Sequence, residues 1–331
     1  MTHLTYLQAI FIGALQGVTE LFPVSSLGHS VLIPALIGGS WADNLSMTAT
    51  ASPYLAFLVA VHVATAIALV IFFRHDWVRI IIGLVTSIRD RRISTTYQRL
   101  AWLLIIATIP VGIAGIALDH LVRTTLGRPV PAATFLIING VVLLAVERLR
   151  GRRDSTVARP VPVGSRAHGG GLGQVYAASG YMGASTTTSA HDGTSKSPID
   201  SDERLARLGW IEGTAIGAAQ ILALLPGISR SGSTIVAGLI RGLTHEDAAR
   251  FAFLLATPAI AGAGVFKLPE LAGPTGHGIL GQVLAGSLVA GVGAYLSLRF
   301  LTRYFQTRTL TPFAVYCMVG GIASLVWLIA T

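Results

Sequence analysis

Long apolar stretches separated by short polar segments make up most of this chain. Six of these stretches are long enough to cross the roughly 30 Å hydrocarbon core of a bilayer as helices. They lie near residues 52–73, 100–118, 132–149, 250–268, 279–299 and 311–330. The pattern predicts an all-α polytopic membrane protein with six transmembrane helices.

Two further apolar stretches, 5–37 and 209–240, are interrupted by proline, glycine, serine and charged residues. Backbone that leaves the helical conformation at membrane depth has to be buried in protein or line a wet cavity. We therefore interpret each stretch as a re-entrant helix-loop-helix hairpin, which enters the membrane and returns to the side it came from.

The two interrupted stretches also repeat one pattern. Each contains Gly-Ala-x-Gln, followed by a proline, a serine cluster and a glycine. Gln16 and Gly28 are twelve positions apart, and so are Gln220 and Gly232. A repeated half with helix breakers at membrane depth is typical of a buried site between inverted-topology repeats. The sequence thus predicts that the two hairpins enter from opposite faces and meet.

The segment between the two halves has a different composition. It is rich in glycine, serine, threonine, arginine and proline, and it cannot bury enough apolar surface to offset its ordering entropy. We predict a first membrane repeat over residues 1–150, a disordered cytoplasmic linker over 151–205 and a second, inverted membrane repeat over 206–331.

Composition and charge agree with a membrane location. The chain of 331 residues is 52% hydrophobic and 12% charged, whereas soluble domains carry about 25% charged residues. With the N-terminus outside, the predicted topology places 20 of the 24 lysines and arginines on the inner side, as the positive-inside rule requires. The net charge of +9 therefore indicates a bilayer as partner, and no nucleic acid.

Two charged residues stand out within the repeated motifs of these stretches, Glu20 in the first and Arg230 in the second. A charge within a membrane costs at least about 2.5–3.5 kcal/mol and is usually functional. If the hairpins meet, each charge lowers the cost of the other. An ion pair that only joins the two repeats is the alternative interpretation.

The segment around Arg230 has the composition of an anion site. Glycine allows close approach of backbone N–H groups, and a following helix directs its first N–H groups at the same place. The planar guanidinium of arginine suits phosphate because it donates two parallel hydrogen bonds. The candidate phosphate-binding residues of this segment are Gly227, Ser229, Arg230, Ser231 and Thr234.

The first stretch supplies reactive groups. Ser25 and Ser26 are candidate nucleophiles, and His29 lies one helical turn further along as a candidate base. Glu20 is placed to bind a divalent cation or to orient His29. A cationic clamp, a nucleophile, an acid/base and room for a metal together favour phosphoryl transfer on a substrate partly embedded in lipid.

These motifs resemble those of the bacterial undecaprenyl-diphosphate phosphatase family, the bacitracin-resistance type. The first stretch is similar to the family in Gln16-x-x-x-Glu20 and Ser25-Ser26-x-Gly28-His29. The second is similar in Pro226-Gly227-x-Ser229-Arg230-Ser231-x-x-Thr234. The likeness runs along the whole chain except residues 151–203. Two positions depart from the pattern: Gln16 is the neutral variant of its position, and Cys317 stands where we expect an arginine.

The resemblance implies hydrolysis of undecaprenyl diphosphate to undecaprenyl phosphate, which recycles the carrier lipid of cell-wall synthesis, with Mg²⁺ or Ca²⁺. It implies Ser26 as nucleophile, His29 as its acid/base partner and Glu20, with Gln16, at the metal. It implies catalytic and phosphate-binding roles for Arg230, with Ser229 and Thr234 as further phosphate ligands. Ser25 is a further candidate phosphate-binding residue beside Ser231 and Gly227.

The same resemblance implies a bacterial inner (plasma) membrane location, with the active site facing the outer side. A homodimer is left open. The alternative function is a transporter or flippase for polyprenyl phosphate, because inverted repeats with broken helices are transporter architecture. An enzyme needs a nucleophile beside a base, so Ser26 and His29 favour the phosphatase.

Overall fold

A computed structural model of the chain describes residues 4–45, 53–121, 125–157, 198–271 and 278–331. The helices, in chain order, are α1 (Tyr6–Thr19), α2 (Ser26–Ile37), α3 (Ser40–Asn44), α4 (Pro53–Phe72), α5 (Arg74–Asp90), α6 (Thr96–Leu121), α7 (Pro129–Val157), α8 (Pro198–Ala206), α9 (Trp210–Ala218), α10 (Arg230–Ile240), α11 (His245–Leu271), α12 (Leu280–Thr307) and α13 (Thr311–Ala330). Within the described ranges, 6 helices are long and apolar enough to cross a membrane: α4, α6, α7, α11, α12 and α13. The predicted all-α polytopic membrane protein is confirmed.

Several spanning helices continue beyond the apolar stretch that predicts them. α11 begins at His245 rather than near residue 250, and α12 continues to Thr307 rather than ending near 299. The first turn of α11 carries Glu246 and Asp247, and negative side chains stabilise the N-terminus of a helix. Hydropathy detects only the apolar part of such a helix, so it places the first residue too late or the last residue too early.

Apolar side chains are divided between the interior and the outer surface. The interior is filled by large side chains with almost no exposure, among them Tyr54, Phe57, Leu100, Leu136, Phe251 and Phe253. Many others point outward, including Ile113, Ile116, Leu284, Leu288 and Ile329, which are 64–74% exposed. Outward isoleucine and leucine on spanning helices are suited to lipid, because hydrocarbon rather than water surrounds them there.

The two interrupted stretches form pairs of short helices. α1 and α2 are separated by residues 20–25, which we call the first break. α9 continues into a 3₁₀ turn at Ala219–Leu224, and residues 225–229, the second break, separate this turn from α10. The hydroxyl of Ser25 accepts a hydrogen bond at the start of α2, and that of Ser229 does so at the start of α10. Caps of this kind begin a new helix after a break.

Each short pair packs against a long helix of the other half of the chain. α1 packs on α12, and α9 packs on α6. A Cβ on Gly13 would lie 2.3 Å from the carbonyl oxygen of Gly286, and one on Gly217 would lie 2.1 Å from that of Ala107. Small residues allow such close approach of helices in membranes. This reciprocal packing is what a twofold-related repeat would give; the re-entrant course and the inverted repeat stay predictions.

The segment predicted as a linker, 151–205, is helical at both of its ends. α7 continues to Val157, and α8 begins at Pro198. The predicted disorder therefore does not apply to these flanks, and residues 158–197 lie outside the described part of the chain. The predicted boundaries of the two membrane repeats stay predictions.

Ion pairs hold α8 against the start of α11. Asp202 accepts from Arg250 Nε at 2.7 Å, and Arg204 Nη2 lies 2.7 Å from Asp247 Oδ1. Burial raises the pKa of Asp202, and the neighbouring Arg250 opposes this shift. The polar composition of this segment predicts disorder because composition does not reveal these ion pairs. Their partners lie more than forty residues away in sequence.

We expect Gly13→Ala to destabilise the fold, because the added Cβ would meet the backbone of Gly286. Overpacking of this kind costs about 1–3 kcal/mol. The matched control is Gly112→Ala in α6, where a Cβ would meet nothing within 4 Å. The measurement is the thermal unfolding midpoint of each variant in detergent. Equal midpoints for the two variants would contradict the close packing of α1 on α12.

Candidate active site

The two helix breaks meet at an ion pair between Glu20 and Arg230. Glu20 directly follows α1, and its backbone N–H donates to the carbonyl of Gln16 at 3.0 Å. Arg230 is the first residue of α10; its Nη2 lies 2.5 Å from Glu20 Oε1, and its Nη1 donates to the carbonyl of Ala256 at 3.1 Å. The two side chains are 6% and 16% exposed. As the sequence predicts, the two charges lie in direct contact.

Three more side chains contact the other oxygen of the Glu20 carboxylate. Gln16 Nε2 donates to Oε2 at 2.9 Å, and the Ser26 hydroxyl also donates to it. His62 Nε2 lies 3.3 Å from the same oxygen, and its Nδ1 lies 2.7 Å from the carbonyl of Leu58. A carboxylate that accepts from a serine is placed to take the hydroxyl proton.

Ser25 connects the two breaks directly. Its φ of 70° is unusual for a residue with a side chain. Its hydroxyl accepts from the backbone N–H of Gly28 at 3.2 Å and from that of Gly227 at 3.1 Å. Gly227 has a φ of +110°, and a Cβ there would lie 2.3 Å from the carbonyl oxygen of Ala132. Only glycine fits this position, because both its conformation and its surroundings exclude a side chain.

The hydroxyls at the end of the second break and in the first turns of α10 contact backbone carbonyls. Ser229 and Ser231 both donate to the carbonyl of Phe22, at 3.3 Å and 3.1 Å. Thr234 donates to the carbonyl of Arg230 at 2.9 Å. Each hydroxyl has one proton, so a phosphate would have to draw that proton away from the carbonyl. Among these predicted phosphate ligands, Arg230 therefore has the most donor capacity to offer, since a guanidinium carries five N–H groups.

His29 lies in the first turn of α2 but does not face the Ser26 hydroxyl in the contacts described. Its Nδ1 lies 2.7 Å from the carbonyl of Ser25, and its Nε2 lies 2.8 Å from the hydroxyl of Tyr316 on α13. The His29 and Tyr316 rings are stacked with their centroids 5.7 Å apart. The group that contacts the Ser26 hydroxyl is Glu20.

Sequence reasoning did not assign a role to His62 or to Tyr316. His62 is a lone histidine inside the apolar stretch of α4. Without a known partner, such a histidine is interpreted as a polar residue that packs against neighbouring helices. Tyr316 lies 287 positions from His29, so no local spacing connects them. The signal that could have identified His62 is its chemistry, since an ionisable residue within a membrane span is functional by default.

The residues at this site fit a divalent cation that takes only two ligands from the chain. Within the described ranges, no three or more histidine, cysteine, aspartate or glutamate side chains are grouped so that they could hold a metal ion, and Glu20 is the carboxylate at the site. Gln16 Oε1 is buried without a hydrogen-bond partner. An orphaned oxygen beside a carboxylate is suited to Mg²⁺ or Ca²⁺, and phosphate oxygens and waters commonly complete such a coordination shell.

The arrangement as a whole suits transfer of a phosphoryl group. A guanidinium can hold a phosphate, a serine can attack it, and a carboxylate can accept the serine proton. These groups lie between helices whose outer faces carry exposed apolar side chains, which are suited to contact with lipid.

Comparison with known proteins identifies the family. The family model described as "Bacitracin resistance protein BacA" matches residues 9–323. A protein of Mycolicibacterium paratuberculosis named "Undecaprenyl-diphosphatase" is 60% identical over 327 residues, which is 98% of each chain. "Undecaprenyl-diphosphatase 2" of Frankia alni is 56% identical and covers 97% of each chain. A protein of the same name from Chromobacterium violaceum is 36% identical over 325 residues, 97% of this chain and 98% of its own.

The match extends over nearly the whole chain. This chain therefore belongs to the bacitracin resistance protein BacA family.

Proposed function

We propose that this chain, as a member of the BacA family, hydrolyses undecaprenyl diphosphate to undecaprenyl phosphate and inorganic phosphate within the membrane. Relatives named "Undecaprenyl-diphosphatase" and "Undecaprenyl-diphosphatase 2" align with 98% and 97% of this chain. The observation that carries the proposal is the hydrogen bond from the Ser26 hydroxyl to Glu20, whose carboxylate is paired with Arg230. This places a nucleophile, its base and an anion clamp within one cluster.

In the proposed reaction, Arg230 binds the terminal phosphate of the diphosphate. It has donors left for this, because the described contacts with Glu20 and Ala256 use two of its N–H groups. The start of α10 adds positive potential at the same place. We assign Ser25, Gly227, Ser229, Ser231 and Thr234 to the wall of this phosphate site.

The chemical step begins at Ser26. Its oxygen attacks the terminal phosphorus while its proton passes to Glu20, and the bond from that phosphorus to the bridging oxygen breaks. Undecaprenyl phosphate leaves, and water then hydrolyses the phosphoserine to free phosphate. The sequence predicts His29 as the acid/base partner of Ser26, but the group that contacts the Ser26 hydroxyl is Glu20. We propose His29, whose Nε2 lies 2.8 Å from the Tyr316 hydroxyl, as a second acid/base group of the site.

We further propose that Mg²⁺ or Ca²⁺ takes part, with Glu20 and Gln16 as the residues that would hold it. When bound, the cation would neutralise charge on the diphosphate and on the leaving group. The buried, unpartnered Oε1 of Gln16 supports this assignment.

We propose a bacterial inner (plasma) membrane location with the active site on the outer side, re-entrant hairpins and an inverted repeat. Support for the repeat comes from the reciprocal packing of α1 on α12 and of α9 on α6. A homodimer stays a prediction.

The direct test is phosphate release from C55 diphosphate by the purified protein in detergent. We expect turnover in the presence of Mg²⁺ or Ca²⁺, a large loss on addition of a chelator, and recovery when the cation is restored. The alternative function, a polyprenyl-phosphate transporter, would instead move the lipid across vesicle membranes and release no phosphate. That result would contradict the proposed hydrolysis.

Arg230→Lys should lower kcat/KM by about 100-fold or more, because lysine keeps the charge but loses the two parallel hydrogen bonds to phosphate. The lysine still neutralises Glu20, so the variant should fold. Arg241→Ala is the matched control, since it removes an exposed arginine that directly follows the same helix. If Arg230→Lys retains activity within a few-fold of wild type, the phosphate clamp is wrong.

Ser26→Ala should remove nearly all turnover, because no other hydroxyl contacts Glu20 in the described contacts. Ser233→Ala is its control: that hydroxyl is also buried but donates to the carbonyl of Ser229. Steady-state rates of phosphate release measure the difference. Full activity of Ser26→Ala would assign the attack to a water molecule.

A further inference from the structure

Asn139 on α7 contacts both helix breaks with a single side chain. Its Nδ2 donates to the carbonyl of Pro23 in the first break at 3.0 Å. Its Oδ1 accepts from the backbone N–H of Ser229 in the second break at 3.1 Å. Its second Nδ2 hydrogen is directed at Cys317 Sγ, 3.3 Å away. The side chain is buried, with 3% of its surface exposed, so water does not substitute for these partners.

The orientation of this amide follows from its partners. The Pro23 carbonyl can only accept a hydrogen bond and the Ser229 N–H can only donate one. Exchange of the amide oxygen and nitrogen would place like groups against each other at both positions. The two breaks therefore require an amide here, with its donor side toward Pro23 and its acceptor side toward Ser229.

The same face of α7 lies against the second break over two turns. Ala132, Leu136 and Asn139 follow each other at i, i+4 and i+7, the spacing of one helix face. A Cβ on Gly227 would meet the carbonyl of Ala132 at 2.3 Å and the N–H of Leu136 at 2.7 Å. This close contact packs α7 directly against the second break and brings the amide of Asn139 beside it.

The two atoms that Asn139 contacts are close in sequence to the reacting groups. Pro23 lies three residues after Glu20 and three before Ser26, and Ser229 directly precedes Arg230. The nucleophile and its base thus belong to the break held by the donor side of the amide. The proposed phosphate clamp belongs to the break held by its acceptor side.

We propose that Asn139 is a positioning residue that sets the distance between the Ser26 nucleophile and a phosphate bound at Arg230. The proposal rests on the proposed phosphatase function. Loss of the amide leaves the Arg230 guanidinium and its hydrogen bond to Ala256 in place, so the substrate still binds. It leaves the Pro23 carbonyl and the Ser229 N–H without partners, so the first break shifts relative to the bound phosphate. Direct contacts between the breaks, such as Ser25 with Gly227, keep this shift small. The chemical step should therefore be affected more than binding.

The test compares Asn139→Leu with Gln98→Leu. Leucine has the same branching and number of side-chain heavy atoms as asparagine, has one heavy atom fewer than glutamine, and makes no hydrogen bond. Gln98 is also buried at 5% exposure and also bridges separate segments, since it accepts from the N–H of Ser94 and donates to Thr86 Oγ1. It lies at the start of α6, where none of its described contacts reaches the two breaks. It therefore controls for the general effect of losing a buried amide.

We expect Asn139→Leu to lower kcat by about 10- to 100-fold, since misplacement of reacting groups by about 1 Å has effects of that size. KM should change by less than about threefold, and kcat of Gln98→Leu should stay within about twofold of wild type. Thermal unfolding in detergent is measured for both variants. This pattern supports a positioning role, because a loss of stability alone would lower both variants alike.

Two results would overturn the inference. One is a folded Asn139→Leu with kcat within about twofold of wild type; the other is an equal loss of kcat in Asn139→Leu and Gln98→Leu. Should Asn139→Leu not fold, Asn139→Ala removes the same amide without adding an atom, and the same criteria apply to its kcat. A wild-type protein that releases no phosphate overturns the proposed function instead, so the two failures are distinguishable.

Discussion

A buried ion pair between Glu20 and Arg230 is the interaction on which the rest of this structure depends. Either charge alone would be costly to bury, because an ionised group without a partner loses its hydration. Removing one partner of a buried pair is strongly destabilising because the other charge stays behind. The two charges come from segments 210 positions apart. The chain therefore satisfies them only when the two broken helices meet, and this meeting brings the halves together.

The two breaks in the helices create a second requirement, because backbone groups freed in a buried segment need partners other than water. Each break supplies partners for the other. The hydroxyl of Ser25 in the first break accepts from the N–H of Gly227 in the second. Ser229 in the second break and Ser231 just after it donate to the carbonyl of Phe22 in the first break. The serines that suggest phosphate chemistry in the sequence thus also hold the loops together.

The sequence predicts some parts of the site well and others poorly. Glu20, Arg230 and Ser26 stand out because charges and hydroxyls are rare within apolar stretches. His62 and Asn139 do not, since their importance depends on which face of a spanning helix meets the breaks. Hydropathy gives the number of spans but not their rotation or register. Those come from close contacts, such as Gly13 against Gly286, that involve residues far apart in sequence.

The contacts of Glu20 also explain how one carboxylate can serve both the fold and the proposed reaction. Before substrate binds, Arg230 holds one oxygen, while Gln16, Ser26 and His62 contact the other. A phosphate at this site would share the guanidinium with Glu20, because the contacts with Glu20 and Ala256 use two of its N–H groups and a guanidinium carries five. The ion pair that joins the two breaks therefore need not open for the substrate to bind. In the proposed reaction the Glu20 carboxylate takes the proton of Ser26 while the guanidinium beside it holds the phosphate that Ser26 attacks.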